Sequence, residues 1–300
     1  MPEEDVARLV LGTAALGLPY GFPGSGVVVP AVLPEEAVRA LMRTALEAGI
    51  ATFDTAPAYG DAEARLGRAL AGKGRVWTKV SAPVARARAG EVARSVEASL
   101  ERLQRRRLEL VSWHNWTAGL AGEPAFRECW AELRRTPAIT SLGATTYGED
   151  DAVAAVESGL FDVVQVEWNL LRQGVLRRLR EVSRSAVRVA VRSVWLQGVL
   201  TPRRLALPSF LRALEPSLDQ AVRLAGLWGL DLEALALRAA LDQHAVDWVV
   251  VGLDATDQLA AALRATRGPR LSSGQLKALE VLDRGDDRLT DPRTWAQPTP

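Results

Sequence analysis

Residues 47–70 read EAGIATFDTAPAYGDAEARLGRAL, and this stretch holds one full structural repeat. Gly49 stops a helical run behind it, in which Val38, Leu41, Met42, Ala45 and Leu46 recur at helical spacing after Pro34. Thr52–Thr55 then reads as a short strand. Polar Asp54 stands at its end, Tyr59 lies in the turn beyond, and an Ala-, Leu- and Arg-rich stretch follows. Outward from here the same rhythm recurs. Strand-like runs fall at Leu9–Gly12, Val76–Val80, Leu108–His114, Ile139–Ala144, Val163–Asn169, Arg188–Val194 and Asp247–Gly252. Helix-like runs fall at Glu35–Glu47, Glu91–Gln104, Asp219–Leu227, Leu232–Leu241, Thr256–Ala265 and Ser272–Leu282. Eight strands alternating with helices predict an α/β protein of the (β/α)8 TIM-barrel class, with residues 1–300 as a single domain. No strand-associated G-x-G-x-x-G supports a doubly wound sheet. GFPGSG at 21–26 reads as the turn of an N-terminal β-hairpin that pairs Leu9–Leu11 with Val27–Val29.

Composition narrows the function. Of 300 residues, 48% are hydrophobic and 24% charged, an ordinary globular balance. Lys plus Arg is 37 and Asp plus Glu is 36, so the net charge of +1 leaves no basic excess for nucleic acid. Arg105–Arg107 reads as a solvated helix end. One cysteine, Cys129, cannot form an internal disulfide, and two histidines are too few for a multi-histidine metal site; no metal is expected. The start MPEEDVARLVLG is acidic where a leader peptide is basic. With no 18-residue apolar run, the expectation is a soluble cytoplasmic protein with no membrane partner. The oligomeric state is not encoded legibly.

In this barrel class reactive groups stand at the C-terminal ends of the strands. Polar residues fill those ends: Asp54 and Tyr59 after strand two, Lys79 on strand three, His114 after strand four, Thr145 and Thr146 after strand five. Gln165 and Glu167 lie on strand six, and Arg192, Ser193, Gln197 and Gly198 at and after strand seven. A phenol titrates near 10, and an ammonium beside it favours phenolate. A carboxylate can hold that ammonium, and an imidazole can hydrogen-bond a substrate oxygen. Such a set protonates an alkoxide forming on a carbonyl, or reverses that step. Each of these residues alone has an ordinary structural use; their convergence from adjacent strands points to proton transfer.

From Leu9 to Leu263 the chain resembles the aldo-keto reductase superfamily. The resemblance rests on residues 47–70, on LGTAALGLPYG at 11–21, and on WTKV, SWHNW, SLGATTYG, VVQVEWNLL, RSVWLQGVL and VVVGLDATDQL in family order. It implies an NAD(P)H-dependent oxidoreductase that reduces a small-molecule carbonyl to an alcohol, the substrate being a sugar or a biosynthetic intermediate. The implied catalytic set is Asp54, Tyr59, Lys79 and His114, with Tyr59 as general acid/base and Lys79 lowering its pKa. The implied cofactor contacts are Gly12, Thr13, Thr145, Thr146, Gln165, Arg192, Ser193, Gly198, Gly252, Asp254 and Gln258. Arg192 stands where the family often places a ring against the nicotinamide. Asp254 and Asp257 occupy the adenosine end, where many members carry cations for a 2′-phosphate, so NADP(H) and NAD(H) are both open. Tyr20, Trp113, Trp168 and Trp195 are expected to line the substrate pocket. A lyase or isomerase on the same fold, and a regulatory nucleotide-binding protein, are the alternative readings.

Overall fold

The computed structural model describes residues 2–19, 32–80, 89–182, 187–253 and 256–295. Eight parallel strands close into one barrel in chain order. They are β1 (Leu9–Gly12), β2 (Thr52–Asp54), β3 (Arg75–Val80), β4 (Leu108–Trp113), β5 (Ile139–Thr145), β6 (Val163–Glu167), β7 (Arg188–Arg192) and β8 (Trp248–Gly252). β1 pairs with both β2 and β8, for example Gly12 with Asp54 and with Gly252. Both edges of Leu9–Leu11 are therefore taken by neighbouring staves, and this run belongs to the barrel rather than to a hairpin. Residues 20–31, which carry the other half of the expected hairpin, lie outside the described residues.

Helices α1 (Pro2–Ala7), α2 (Glu35–Glu47), α3 (Ala62–Leu70), α4 (Ala89–Leu103), α5 (Pro124–Arg135), α6 (Glu149–Glu157), α7 (Gly174–Leu179), α8 (Glu215–Leu227), α9 (Leu232–Leu241) and α10 (Thr256–Arg267) accompany the strands. α11 (Ser273–Ala278) and α12 (Asp287–Thr290) complete the described chain. The expected boundaries of α2 and α9 coincide with those observed; the expected Ser272–Leu282 helix divides into α11 and a 3-10 turn. Among the described residues no helix is long and apolar enough to cross a membrane.

Two layers of core follow from the two-residue period of the strands. One face of each strand packs outward on the helices, as Leu9, Leu11, Val76, Val164, Val166, Val249 and Val251 do. The other face fills the interior with Val10, Trp77, Leu110, Val163, Ala190 and Val250. Trp77 and Trp248 meet edge-to-face in this interior, ring centroids 5.2 Å apart. Counting two residues onward along the same inner face gives Lys79 above Trp77, Gln165 above Val163 and Arg192 above Ala190. The apolar plug thus gives way to a polar layer at the C-terminal ends of the strands.

An ionic clamp fastens the N-terminal helix. Arg238, fully buried in α9, donates to Asp5 Oδ2 at 2.9 Å and to Asp242 Oδ1 at 2.8 Å. Removing one member of a buried ion network leaves the others uncompensated, at a cost of about 3–5 kcal/mol. Arg238→Met is accordingly expected to lower unfolding free energy by about that amount, read as a shift of the urea midpoint at unchanged slope.

Candidate active site

The end of β1 is tied to the end of β2 by Thr13, whose amide and hydroxyl both donate to the Asp54 carbonyl, at 2.9 and 3.0 Å. Beyond β2 the chain turns through Tyr59 into α3. The turn lies hard against the loop after β1: a Cβ on Gly17 would stand 1.9 Å from the Tyr59 carbonyl oxygen. Gly60 opposite has φ +58°, and a Cβ there would meet the Gly17 carbonyl oxygen at 2.6 Å. Only glycine permits this approach, which fixes the backbone that carries the phenol.

Lys79 reaches this point from β3. Its Nζ donates to Asp54 Oδ2 at 2.7 Å and to the Thr55 carbonyl at 2.8 Å, with the lysine 3% and the aspartate 5% exposed. The ammonium also lies 5.0 Å from the centroid of the Tyr59 ring. Gln165 Nε2 donates to the other Asp54 oxygen at 3.3 Å. His114 enters from the end of β4, its ring perpendicular to that of Tyr59 with centroids 6.3 Å apart. The structure therefore brings Asp54, Tyr59, Lys79 and His114 together.

Burial pushes the Tyr59 phenol above its ordinary value; Lys79 opposes this without overcoming it. The expected lowering by Lys79 is present as a contribution, and the net displacement is upward. The phenol therefore keeps its proton at neutral pH. Burial pulls Lys79 down, but Asp54 and then Tyr59 outweigh it, so the ammonium is held above the usual lysine value. His114 is driven down to about 3, first by burial and then by the Lys79 and Arg192 charges. Its imidazole is neutral and can donate one N–H.

These groups line a cleft of about 310 Å³ together with Gly12, Thr13, Thr145, Gln165, Arg192, Ser193 and Gly252. Thr145 Oγ accepts from the Asn115 amide at 2.8 Å. Thr146 is buried, with no partner for its hydroxyl among the described residues. Arg192 donates to the Thr146 carbonyl at 2.9 Å and stacks on Tyr147, 4.1 Å from the ring centroid. A smaller cleft of about 40 Å³ adjoins, sharing Ser193, Gln197, Val250 and Gly252 and extending to Gly198, Arg203 and Gln258. Ser193, Leu196 and Gln197 all adopt positive φ in the loop between these clefts.

The expected pocket tryptophans lie elsewhere. Trp113 is buried behind the barrel wall, edge-to-face on Phe126 and Trp130. It ends β4 on the helix-facing side, so the strand period turns it away from the cleft. Trp168 faces outward by the same parity, one residue beyond Glu167. Trp195 borders the smaller cleft and donates its indole N–H to the Glu233 carbonyl at 3.1 Å. Tyr20 and Asp254 lie outside the described residues.

The Pro-containing tail Asp283–Pro300 reads as lying near the rim, and its Thr290–Arg293 lines the cleft; Leu18, Pro19 and Asn115 line it too, and sequence reasoning missed those three. Arg293 pairs with Asp291 and covers Tyr147, 3.4 Å from the ring centroid. Tyr147 thus contacts guanidinium groups from two distant segments. A short, aperiodic tail gives no pattern from which that contact could be read; an arginine beside an aspartate in a Pro-containing segment was the one available signal. Among the described residues no group of three or more His, Cys, Asp or Glu could hold a metal ion.

A parallel barrel whose C-terminal rim gathers a phenol, an ammonium and an imidazole in one cleft is an enzyme architecture equipped for proton transfer. The model of the Aldo/keto reductase family matches residues 8–284, and the chain belongs to that family. An aldo-keto reductase of Mycolicibacterium smegmatis is 27% identical over 286 residues, covering 91% of this chain and 92% of that one. The fold is similar to that of an aldo-keto reductase from Bacillus halodurans solved in its holo form (TM-score 0.76, 21% identity, 93% of each chain). It is also similar to that of a putative aldo-keto reductase from Pseudomonas aeruginosa (TM-score 0.61, 22% identity, 86% of this chain and 90% of that one). The protein is an oxidoreductase.

The displaced His114 pKa has a stability consequence. Unfolded, the imidazole binds a proton near its ordinary value of 6.5; folded, it does so only at about 3. Between those values the unfolded chain holds more protons, so stability is full above about 6.5 and falls as pH drops. His114→Gln is expected to show a shallower loss of melting temperature between pH 7 and 4 than the parent protein, measured by thermal unfolding across that range.

Proposed function

We propose that this protein reduces the carbonyl of a small molecule to an alcohol with a nicotinamide cofactor, NADP(H) or NAD(H), Tyr59 giving the proton. The observation that carries this reading is the Lys79 ammonium, held by Asp54 at 2.7 Å and lying 5.0 Å from the Tyr59 ring within one cleft. A phenol that stays protonated at neutral pH is the acid that a forming alkoxide needs. The Lys79 charge stabilises the phenolate left behind, and Asp54 keeps that charge in place. Neutral His114 donates a hydrogen bond to the carbonyl oxygen and so fixes the substrate beside Tyr59.

The donor set fits a nicotinamide. Gln165 and Thr145 offer neutral amide and hydroxyl partners for a carboxamide beside the proton donor. The Thr146 hydroxyl, buried without a partner among the described residues, is a further candidate. Gly12, Thr13 and Arg192 line the same cleft, Arg192 offering a guanidinium plane against which a ring could stack. The adjoining cleft with Ser193, Gly198, Gly252 and Gln258 extends the groove toward the adenosine end. NAD(P)H supplies the hydride when bound. The chain acts as one domain over residues 1–300, and its single cysteine suits the reducing cytoplasm.

Tyr59→Phe is expected to reduce kcat by about 10²–10⁴ and to leave nucleotide affinity, read by fluorescence titration with NADPH and NADH, close to that of the parent. Retained turnover would remove Tyr59 from the role, and silence with both nucleotides would remove the redox reading. Lys79→Met is expected to move the basic limb of the pH–rate profile upward, because the charge that favours phenolate is gone. An unmoved limb would contradict the coupling.

A further inference from the structure

A second cavity, of about 250 Å³, opens on the outside of the barrel, away from the cleft just described. Its walls come from α7, from the end of α9, and from α11 with the turn after it. Trp168, Leu176 and Leu276 give it an apolar side. Arg177, Arg180 and Lys277 stand around it, all exposed, with His244 beside them. Glu280 is the one carboxylate among the described lining residues. Arg177 meets Asp283 at 3.3 Å, whereas Arg180 and Lys277 have no carboxylate within ion-pairing distance among the described residues. Arg180 donates instead to Gln243 Oε1.

The cavity is preformed. Buried Gln173, at the start of α7, donates to the carbonyls of Leu170 at 2.9 Å and Leu279 at 2.7 Å. The Arg284 amide donates to the Leu171 carbonyl at 2.9 Å. The bonds to Leu279 and from Arg284 join walls that lie far apart in sequence. Strand parity sets this cavity back-to-back with the reductase cleft: Glu167 lines one, and Trp168, the next residue, lines the other.

We infer that this cavity binds a small ligand carrying a phosphoryl group. Guanidinium forks match phosphoryl oxygens in geometry and charge, and a lysine adds a point charge. Two cations without carboxylate partners among the described residues, at the mouth of a concave, partly apolar site, favour an anion over a neutral molecule. The ligand is either inorganic phosphate or an organic phosphate ester whose carbon skeleton rests on Leu176, Leu276 and Trp168.

Isothermal titration of the full chain with inorganic phosphate and with phenyl phosphate tests this. The parent protein is expected to bind, and Arg180→Glu/Lys277→Glu to weaken binding by about tenfold or more, roughly the loss of one charge-assisted contact. Tighter binding of phenyl phosphate assigns the site to organic esters; equal binding assigns it to phosphate itself. Arg180→Gln/Lys277→Gln, which adds no new charge, serves as a second variant whose fold is checked by melting. No heat from the parent with either probe at about 10 mM, or unchanged binding in both variants, overturns the inference. Saturation with NADP+ is expected to leave the titration unchanged; loss of binding then would place the probe in the reductase cleft and also overturn it. The charge-reversal arm decides the question even if the protein binds no nucleotide.

Discussion

The Lys79–Asp54 pair is the interaction on which the site depends. Two charges withdrawn from water are costly unless they meet at short range with their remaining valences satisfied. Here the ammonium has a carboxylate oxygen and a backbone carbonyl, and the second carboxylate oxygen takes the Gln165 amide. Three staves, β2, β3 and β6, must keep their register for those contacts to exist. The closed barrel enforces that register, since a slip of one residue would exchange the inner and outer faces of a whole strand. The chemistry at the rim and the packing of the interior are therefore one geometric problem.

The electrostatic balance around Tyr59 is a contest between burial and a neighbouring charge, and burial prevails. At His114 there is no contest and the outcome for charge is the same: burial and two nearby cations all favour the neutral ring. Two proton-bearing groups thus stand side by side, one a neutral phenol and one a neutral imidazole. The Lys79 ammonium beside them is paired with Asp54. A carbonyl oxygen entering this space would meet hydrogen-bond donors rather than a competing anion.

Much of this was legible in the sequence because it follows periodicity. Polar residues at the C-terminal ends of strands pointed to Asp54, Lys79, Gln165 and Arg192, and the helix-like runs gave α2 and α9 to the residue. What parity also dictates, but aromatic character obscured, is that Trp113 and Trp168 face outward; ring size drew them toward a pocket that the strand period denies them. The Pro-containing tail could be read as a rim segment, but the particular contact made by Thr290–Arg293 was illegible for a different reason. It arises from a tertiary contact between a tail arginine and Tyr147, and no local pattern encodes a partner so far away in sequence. The sign of the Tyr59 displacement was also hidden, because burial is a property of the assembled rim and not of the residues that a motif contains.

The position of Thr290–Arg293 has a practical side. α1 leads directly into β1 at the end of the barrel opposite the cleft, whereas the described chain finishes a few residues after the segment that covers Tyr147. An affinity handle or fluorescent fusion joined directly to Trp295, in place of residues 296–300, would hang beside the mouth through which reactants pass. One joined ahead of α1 would project from the floor of the barrel, leaving that mouth unobstructed.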